Sequence, residues 1–174
     1  MAKTKGIYSK RVDIISLDRW LLVASLLSGI FLLWKFTPRE RAREAWVIGL
    51  FLQSITWVSG LFVVEMKWIS YPVALFSRTN EVNRASFSFE FFLFPVVAIL
   101  FSLNYPSQQP LWFRFLYYTV IISFFTLMEV LLEWKTNLVQ YHEWKWYWTF
   151  ITVWISLFLN HQYYIYFRKR WLKG

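Results

Sequence analysis

The sequence predicts an all-α, polytopic membrane protein, a bundle of about five transmembrane helices with one interfacial amphipathic segment. Three observations predict it. Long apolar runs are broken only by short charged clusters, the pattern of a chain that crosses a bilayer repeatedly. The 174 residues are 57% hydrophobic and 23% aromatic, with 18 Phe, 12 Trp and 10 Tyr, more than a soluble domain of this size can hide. The runs are continuously apolar and do not alternate, which favours helices over a barrel.

A basic N-terminal tail, residues 1–19, precedes a single transmembrane domain over residues 20–167. Its spans are expected at about 20–36, 45–64, 89–105, 111–132 and 146–167, each near the twenty residues that cross roughly 30 Å of hydrocarbon. The first run ends at TPRERARE without a small-residue cleavage site, so it reads as a retained span rather than a signal peptide. The long connection, residues 66–88, contains Tyr71-Pro72 and mixes Trp68, Ile69, Val73, Leu75 and Phe76 with charges, as an interfacial piece would. Residues 168–174 form a basic C-terminal tail.

The net charge of +9 points to basic loops and anionic lipid at a basic face, and away from nucleic acid. The absence of cysteine excludes disulfides, thiolate metal sites and cysteine nucleophiles. Five spans put the termini on opposite sides. The second side collects Lys35, Arg39, Arg41, Arg43, Arg114, Arg168, Lys169, Arg170 and Lys173 close to the span ends. That asymmetry suggests a multi-pass protein of the bacterial cell membrane with the N-terminus outside and the C-terminus inside, although five basic residues in the tail pull the other way.

The acids divide less evenly than the bases. Glu40 and Glu44 belong to the second side, whereas Glu65, Glu90, Glu129, Glu133 and Glu143 gather at the first. Glu90, Glu129 and Glu133 fall within or at the lipid boundary, where a carboxylate must face the bundle, pair, take up a proton or touch water. Helical spacing turns them inward. Thr119, Ser123, Thr126, Glu129, Glu133 and Asn137 follow steps of three and four and share one stripe. Thr149, Thr152, Ser156, Asn160 and Tyr163 form a second stripe. Gly49, Gln53, Thr56 and Gly60 form a small-and-polar helix-packing seam that lets helices approach closely. Such stripes are also the ordinary glue of membrane bundles, and Lys135, Arg84 and Lys145 are available to pair with the acids.

Motifs for familiar chemistry are missing. The two histidines, His142 and His161, stand about 28 Å apart along a continuous helix and cannot share a metal. No zinc-protease, nucleophile-elbow, phosphate-loop or dinucleotide signature is present. Glu129, Glu133, His142 and Glu143 make a weak case for a divalent ion, so the expectation is no metal, no cofactor and no catalytic residue. Trp68, Trp134, Trp144, Trp146 and Trp148 on one face, with Trp34, Trp46, Trp112 and Trp171 on the other, read as two aromatic belts.

PRERAREAWVIGLFLQSITWVSGLFVVE, ISYP, SFSFEFFLFPVVAILFSLNYP, EVLLEWKTNLVQYHEWKWYW and YYIYFRKRW cover most of residues 38–170. Together they resemble an uncharacterised family of multi-span integral membrane proteins from spore-forming Gram-positive bacteria, known only by a clostridial locus tag. The resemblance implies a host class and a topology without a mechanism. It matches Glu44, Gln53, Trp57, Glu65, Tyr71, Pro72, Glu90, Pro95, Glu129, Asn137, Tyr141 and Trp144 to the family's recurring pattern.

The expected site is a carboxylate-lined pocket at the first face, binding a cationic or amphiphilic small molecule or a lipid headgroup. Glu90 and Glu129 would be its ionisable centre, Glu133 and Asn137 its mouth, and Tyr141, Trp144 and Trp148 its rim. The rival is a structural or accessory subunit, as a homo-oligomer or in a membrane complex, held together through the glycine seam. Proton-coupled transport and a membrane enzyme rank below both, because no repeat symmetry and no nucleophile or cofactor motif supports them.

Overall fold

The computed structural model describes the backbone of residues 2–73 and 87–171, with the side chains of residues 2–16, 87 and 89 outside the description. Leu75, Phe76, Arg78 and Arg84 of the expected interfacial segment, and Lys173 of the C-terminal tail, therefore lie outside the described residues. The chain is all-α. Its helices are α1 (Ala2–Phe36), α2 (Ala42–Glu65), α3 (Phe94–Leu103), α4 (Leu111–Lys135) and α5 (Trp146–Trp171), with a π-helical turn, Phe87–Leu93, leading into α3.

Three helices are long and apolar enough to cross a membrane, at Leu17–Phe36, Arg39–Glu65 and Leu111–Lys135, and Glu90–Leu103 is a shorter apolar helix. Their length and composition fit a membrane protein. Large apolar side chains such as Leu27, Phe62, Leu111 and Phe124 stand exposed on the outside of the bundle. The boundaries expected for the first and third spans change. α1 is a single 35-residue helix, so the basic tail continues the span as helix instead of standing apart from it. α3 has only 10 residues, because Pro95 has no N–H to give and its ring crowds the carbonyl four residues back. The widened π turn takes up that mismatch.

α2 is the central element, packing against α3, α5 and the π turn, while α1 lies on the π turn and α3. The main core joins Ile48 and Leu52 of α2, Ala98 and Phe101 of α3, Ile122 of α4, and Val153 and Leu157 of α5. Gly49 faces Ile99 and Pro95, with a Cβ there meeting Ile99 at 3.1 Å, which is why α2 and α3 can lie so close.

Each end of the bundle has its own polar fastening. At one end Arg41 holds Glu44 (3.0 Å), the Tyr164 hydroxyl (2.8 Å) and the Leu103 carbonyl (2.9 Å), and Tyr164 in turn donates to Glu44. One guanidinium thus ties together α2, α3 and α5. At the other end Asp18 of α1, 1% exposed, accepts the Asn137 backbone N–H at 3.2 Å.

A short antiparallel ribbon closes that second end. β1 (Ile69–Ser70) pairs with β2 (Gln140–Tyr141), Ile69 opposite Tyr141 and Ser70 opposite Gln140. The Trp68 carbonyl extends the pairing by accepting the backbone N–H groups of His142 (3.0 Å) and Trp144 (3.3 Å). Ile69, Leu138 and Val139 bury with Leu22 in a second core beneath the ribbon. Sequence patterning placed Ile69 in an interfacial amphipathic segment and Tyr141 at a pocket rim, with no strand at either, since two residues per strand are too few to show a period.

The turn that launches β1 is strained. Trp68 N–H bonds the Val63 carbonyl (3.1 Å) and Lys67 N–H the Val64 carbonyl (2.9 Å), a helix end that needs a left-handed residue. Lys67 fills it at φ 59°, where a Cβ costs about 1–2 kcal/mol. Lys67→Gly is therefore expected to stabilise the chain by about 1 kcal/mol, read as a higher thermal midpoint by circular dichroism in detergent. Lys67→Ala keeps the Cβ and should give no such gain; equal midpoints for the two variants would refute the strain.

Candidate functional site

A cavity of about 340 Å³ opens between α2, the π turn, α4, α5 and the ribbon. Its walls are mostly apolar, from Ile55, Val63, Phe94, Val153 and Leu159, and two carboxylates reach it, Glu90 and Glu129. They arrive by different routes and stand in different surroundings.

Glu90 is delivered by the π turn. It is 3% exposed, and its Oε2 has no hydrogen-bond partner among the described residues. Its carboxyl lies against Gly60, where any Cβ would collide with both carboxylate oxygens. Gly60 thus leaves the space the carboxyl fills. Thr56, one turn earlier, directs its hydroxyl to the Leu52 carbonyl (3.1 Å) and more loosely to the Glu90 carbonyl (3.4 Å). The helix-packing seam of α2 therefore has two uses. Gly49 admits α3, and Thr56 with Gly60 admits the Glu90 turn. Gln53 is half-buried between them.

Glu129 is half-buried and densely bonded. Its Oε1 accepts the Tyr141 hydroxyl at 2.5 Å and the Thr149 hydroxyl at 2.9 Å, while Trp144 Nε1 donates to Thr149 Oγ1 at 2.8 Å. Burial, and after it the neighbouring Glu129 charge, push the Tyr141 phenol well above its ordinary value. Tyr141 consequently stays a neutral donor to the carboxylate across the physiological range. The Tyr71 phenol, also at the cavity wall, is pushed up for the same first reason, with the charges of Glu90 and Glu129 adding to it.

Glu90, Glu129 and Trp144 of the expected ligand set line one cavity, with Tyr141 bracing Glu129. The other three are placed elsewhere. Glu133 is half-buried and lies within electrostatic reach of Tyr141, outside the lining. Asn137 is exposed, and its backbone serves Asp18. Trp148 is exposed and stacks loosely on Tyr147 and Trp144. Both mouth residues and one rim residue are thus displaced, because the ribbon draws residues 138–141 down over the bundle. The belt assignment also changes at one face. Trp68 and Trp144 turn inward and pair at 6.2 Å, leaving Trp134, Trp146 and Trp148 exposed there.

Asp18, Thr149 and Tyr71 were missed as site or scaffold residues. Thr149 had a signal in its place on the polar stripe of α5, whereas Asp18 was hidden inside a basic tail. Among the described residues no three of His, Asp or Glu come together as metal ligands, and His142 Nε2 instead pairs with Ser70 Oγ at 2.9 Å. Compared with known proteins, the chain matches no family model, no curated protein and no solved structure.

Thr149 is the joint of this network, since it accepts from Trp144 and donates to Glu129. Thr149→Val keeps the shape, strands the Trp144 indole N–H and leaves Glu129 with the Tyr141 hydroxyl, which should cost about 1–3 kcal/mol. Thermal unfolding in detergent checks the loss. Fluorotryptophan NMR should show the Trp144 resonance shifting while that of exposed Trp34 stays in place.

Proposed function

We propose that the chain is an integral membrane protein of five spans that binds an organic cation with an apolar body, such as an amphiphilic amine or a lipid headgroup amine, in the cavity between Glu90 and Glu129. Within this reading α5 is a fourth long span, of lower hydropathy than the others, and the short helix at Glu90–Leu103 is the fifth, supported by its neighbours where it falls short of the bilayer. The cavity opens at the outer face, with the N-terminus outside and the C-terminus inside. Membership of the spore-former family belongs to the same proposal.

One observation carries the reading. The Glu90 carboxyl is buried at the wall of an apolar cavity with one oxygen unpartnered. A carboxylate in that position costs several kcal/mol unless it takes up a proton or a counter-charge meets it. A cation supplies the counter-charge, and the surrounding Ile55, Val63 and Leu159 suit its apolar body. Trp144 and Tyr71, at the same wall, offer ring faces to an ammonium group. Glu129 already has two hydroxyl donors and acts as a fixed second charge.

The accessory-subunit reading has less support. Its best docking surface was the glycine seam of α2, and Gly49 and Gly60 already pack within the chain on Ile99 and Glu90.

The test uses the full chain in phosphatidylcholine nanodiscs, titrated by calorimetry with dodecyltrimethylammonium and, as a neutral control, dodecyl maltoside. Saturable binding of the ammonium probe alone is expected. Glu90→Gln should weaken it by about tenfold or more, the worth of a desolvated charge pair, without lowering the thermal midpoint. Glu129→Gln should weaken it too. Equal binding by the native chain and both variants would remove the proposal.

A further inference from the structure

The opposite end of the bundle carries a second cavity, of about 640 Å³, with the reverse electrostatic character. Arg41, Arg114, Arg168 and Lys169 line it. Among the described residues no carboxylate lines it, and Glu44, bonded to Arg41 and Tyr164, lies within electrostatic reach of Arg168. Arg41 is likewise spent on holding Glu44, Tyr164 and Leu103. Arg114 is only partly engaged. Its Nε donates to the Tyr105 hydroxyl at 3.0 Å, its guanidinium lies 5.3 Å from the centre of that ring, and the residue lines the cavity.

A ring of basic residues at a helix end is by itself an ordinary membrane anchor. The cavity floor differs from one. His161 is 4% exposed and Ser102 is 3% exposed, both line the cavity, and neither ring nitrogen of His161 nor the Ser102 hydroxyl has a hydrogen-bond partner among the described residues. The His161 ring packs among aromatic rings, 4.1 Å from that of Tyr105, 5.7 Å from that of Phe101 and 6.0 Å from that of Tyr164. Buried donors without partners are costly, and here they sit beneath several positive charges. An anion of several oxygens would satisfy both at once, taking the guanidinium groups in forked pairs and the imidazole and hydroxyl as neutral donors. Among groups carried on an organic body, a phosphate monoester brings up to two negative charges on three terminal oxygens, whereas a sulfate monoester or a carboxylate brings one.

We propose that this cavity is a phosphate-binding site, with Arg114, Arg168 and Lys169 as its cationic wall and His161 and Ser102 as its floor. The phosphate group belongs either to a lipid headgroup entering from the basic leaflet or to a soluble phosphate compound. The site stands apart from the carboxylate-lined cavity and does not depend on its ligand.

The chain has only two histidines, which lie at opposite ends of the bundle, so selective ¹⁵N-histidine labelling gives a reporter and a built-in control. The full chain in phosphatidylcholine nanodiscs is titrated with inorganic phosphate and then glycerol 3-phosphate. In parallel, nanodiscs are made with and without phosphatidic acid. The His161 signals should move saturably while those of His142 remain fixed. The exposed-residue variants Arg168→Gln and Lys169→Gln should weaken the response about tenfold or more at an unchanged thermal midpoint, and Arg168→Lys should retain part of it. A response to phosphatidic acid alone assigns the phosphate to lipid; one to the soluble probes alone assigns it to a soluble compound. His161 signals that stay fixed with every probe, or an undiminished response in Arg168→Gln with Lys169→Gln combined, would overturn the site and leave a simple anchor.

Discussion

The Glu90 carboxyl resting against the bare backbone of Gly60 is the contact on which the rest of the structure turns. A carboxylate enters an apolar helical bundle only if something delivers it, something makes room for it and something closes over it. The π turn delivers Glu90, and Pro95 is the reason that turn is wide rather than α-helical. Gly60 makes the room, with no side chain to stand in the way. The ribbon of β1 and β2 closes over the result, hung from the left-handed Lys67 and from the Trp68 carbonyl. Remove any one of these and the carboxyl loses its place. Two breaks in regular geometry, the π turn and Lys67, therefore serve a single buried group, which is how strain is ordinarily distributed around a site.

The second organising constraint is the separation of charge along the bundle. Bases crowd the end where α2 begins and α5 finishes, and unpaired acid sits at the other. Between them lies a waist of Ile48, Leu52, Phe101, Ile122, Val153 and Leu157, with no charged side chain among those core residues. The length of this waist weakens the attraction between the two ends, while a charge buried at either end carries its desolvation cost where it stands. Each end must then be neutralised locally, and the native side chains do this incompletely. Arg41 pairs with Glu44, and Tyr141 and Thr149 steady Glu129. Glu90 at one end and His161 at the other are left over.

Much of this was legible in the sequence, for reasons that differ from residue to residue. Glu90 and Glu129 could be found because a charge inside an apolar run is costly wherever the chain folds, so their importance needs no knowledge of contacts. Gly49, Thr56 and Gly60 could be found because helical spacing fixes which residues share a face. Trp144 was read both as part of a belt and as a pocket rim, since a tryptophan at a helix end looks the same whether it faces lipid or a threonine. The ribbon was invisible, as its register depends on Ile69 meeting Tyr141 across more than seventy positions of chain. Asp18 was lost in a basic tail for the same kind of reason, because only the approach of Asn137 gives it a role. The Arg41, Glu44 and Tyr164 cluster likewise joins residues whose local sequences say nothing of one another.

His161 shows the limit most clearly. Read alone, it was one of two histidines too far apart to share a metal, and the matter seemed closed there. The separation is real, yet it tests only one kind of chemistry. A histidine can also be a neutral donor at the base of a cationic cavity, and that role depends on Ser102 and Arg114 arriving from two other helices beside Arg168, about two turns further along α5. Several hydroxyls of the bundle donate to a backbone carbonyl one turn back, as Thr119, Thr136 and Thr152 do, whereas the buried His161 ring has no hydrogen-bond partner among the described residues. Asn160, fully buried beside His161 and also without a hydrogen-bond partner among the described residues, extends the same exception one residue further along α5. Buried groups without partners among the described residues also occur at Thr37, Tyr118 and Thr126, away from both cavity walls, so what separates a site from the polar seams is an unsatisfied group that also meets a cavity, as Glu90, Ser102 and His161 do.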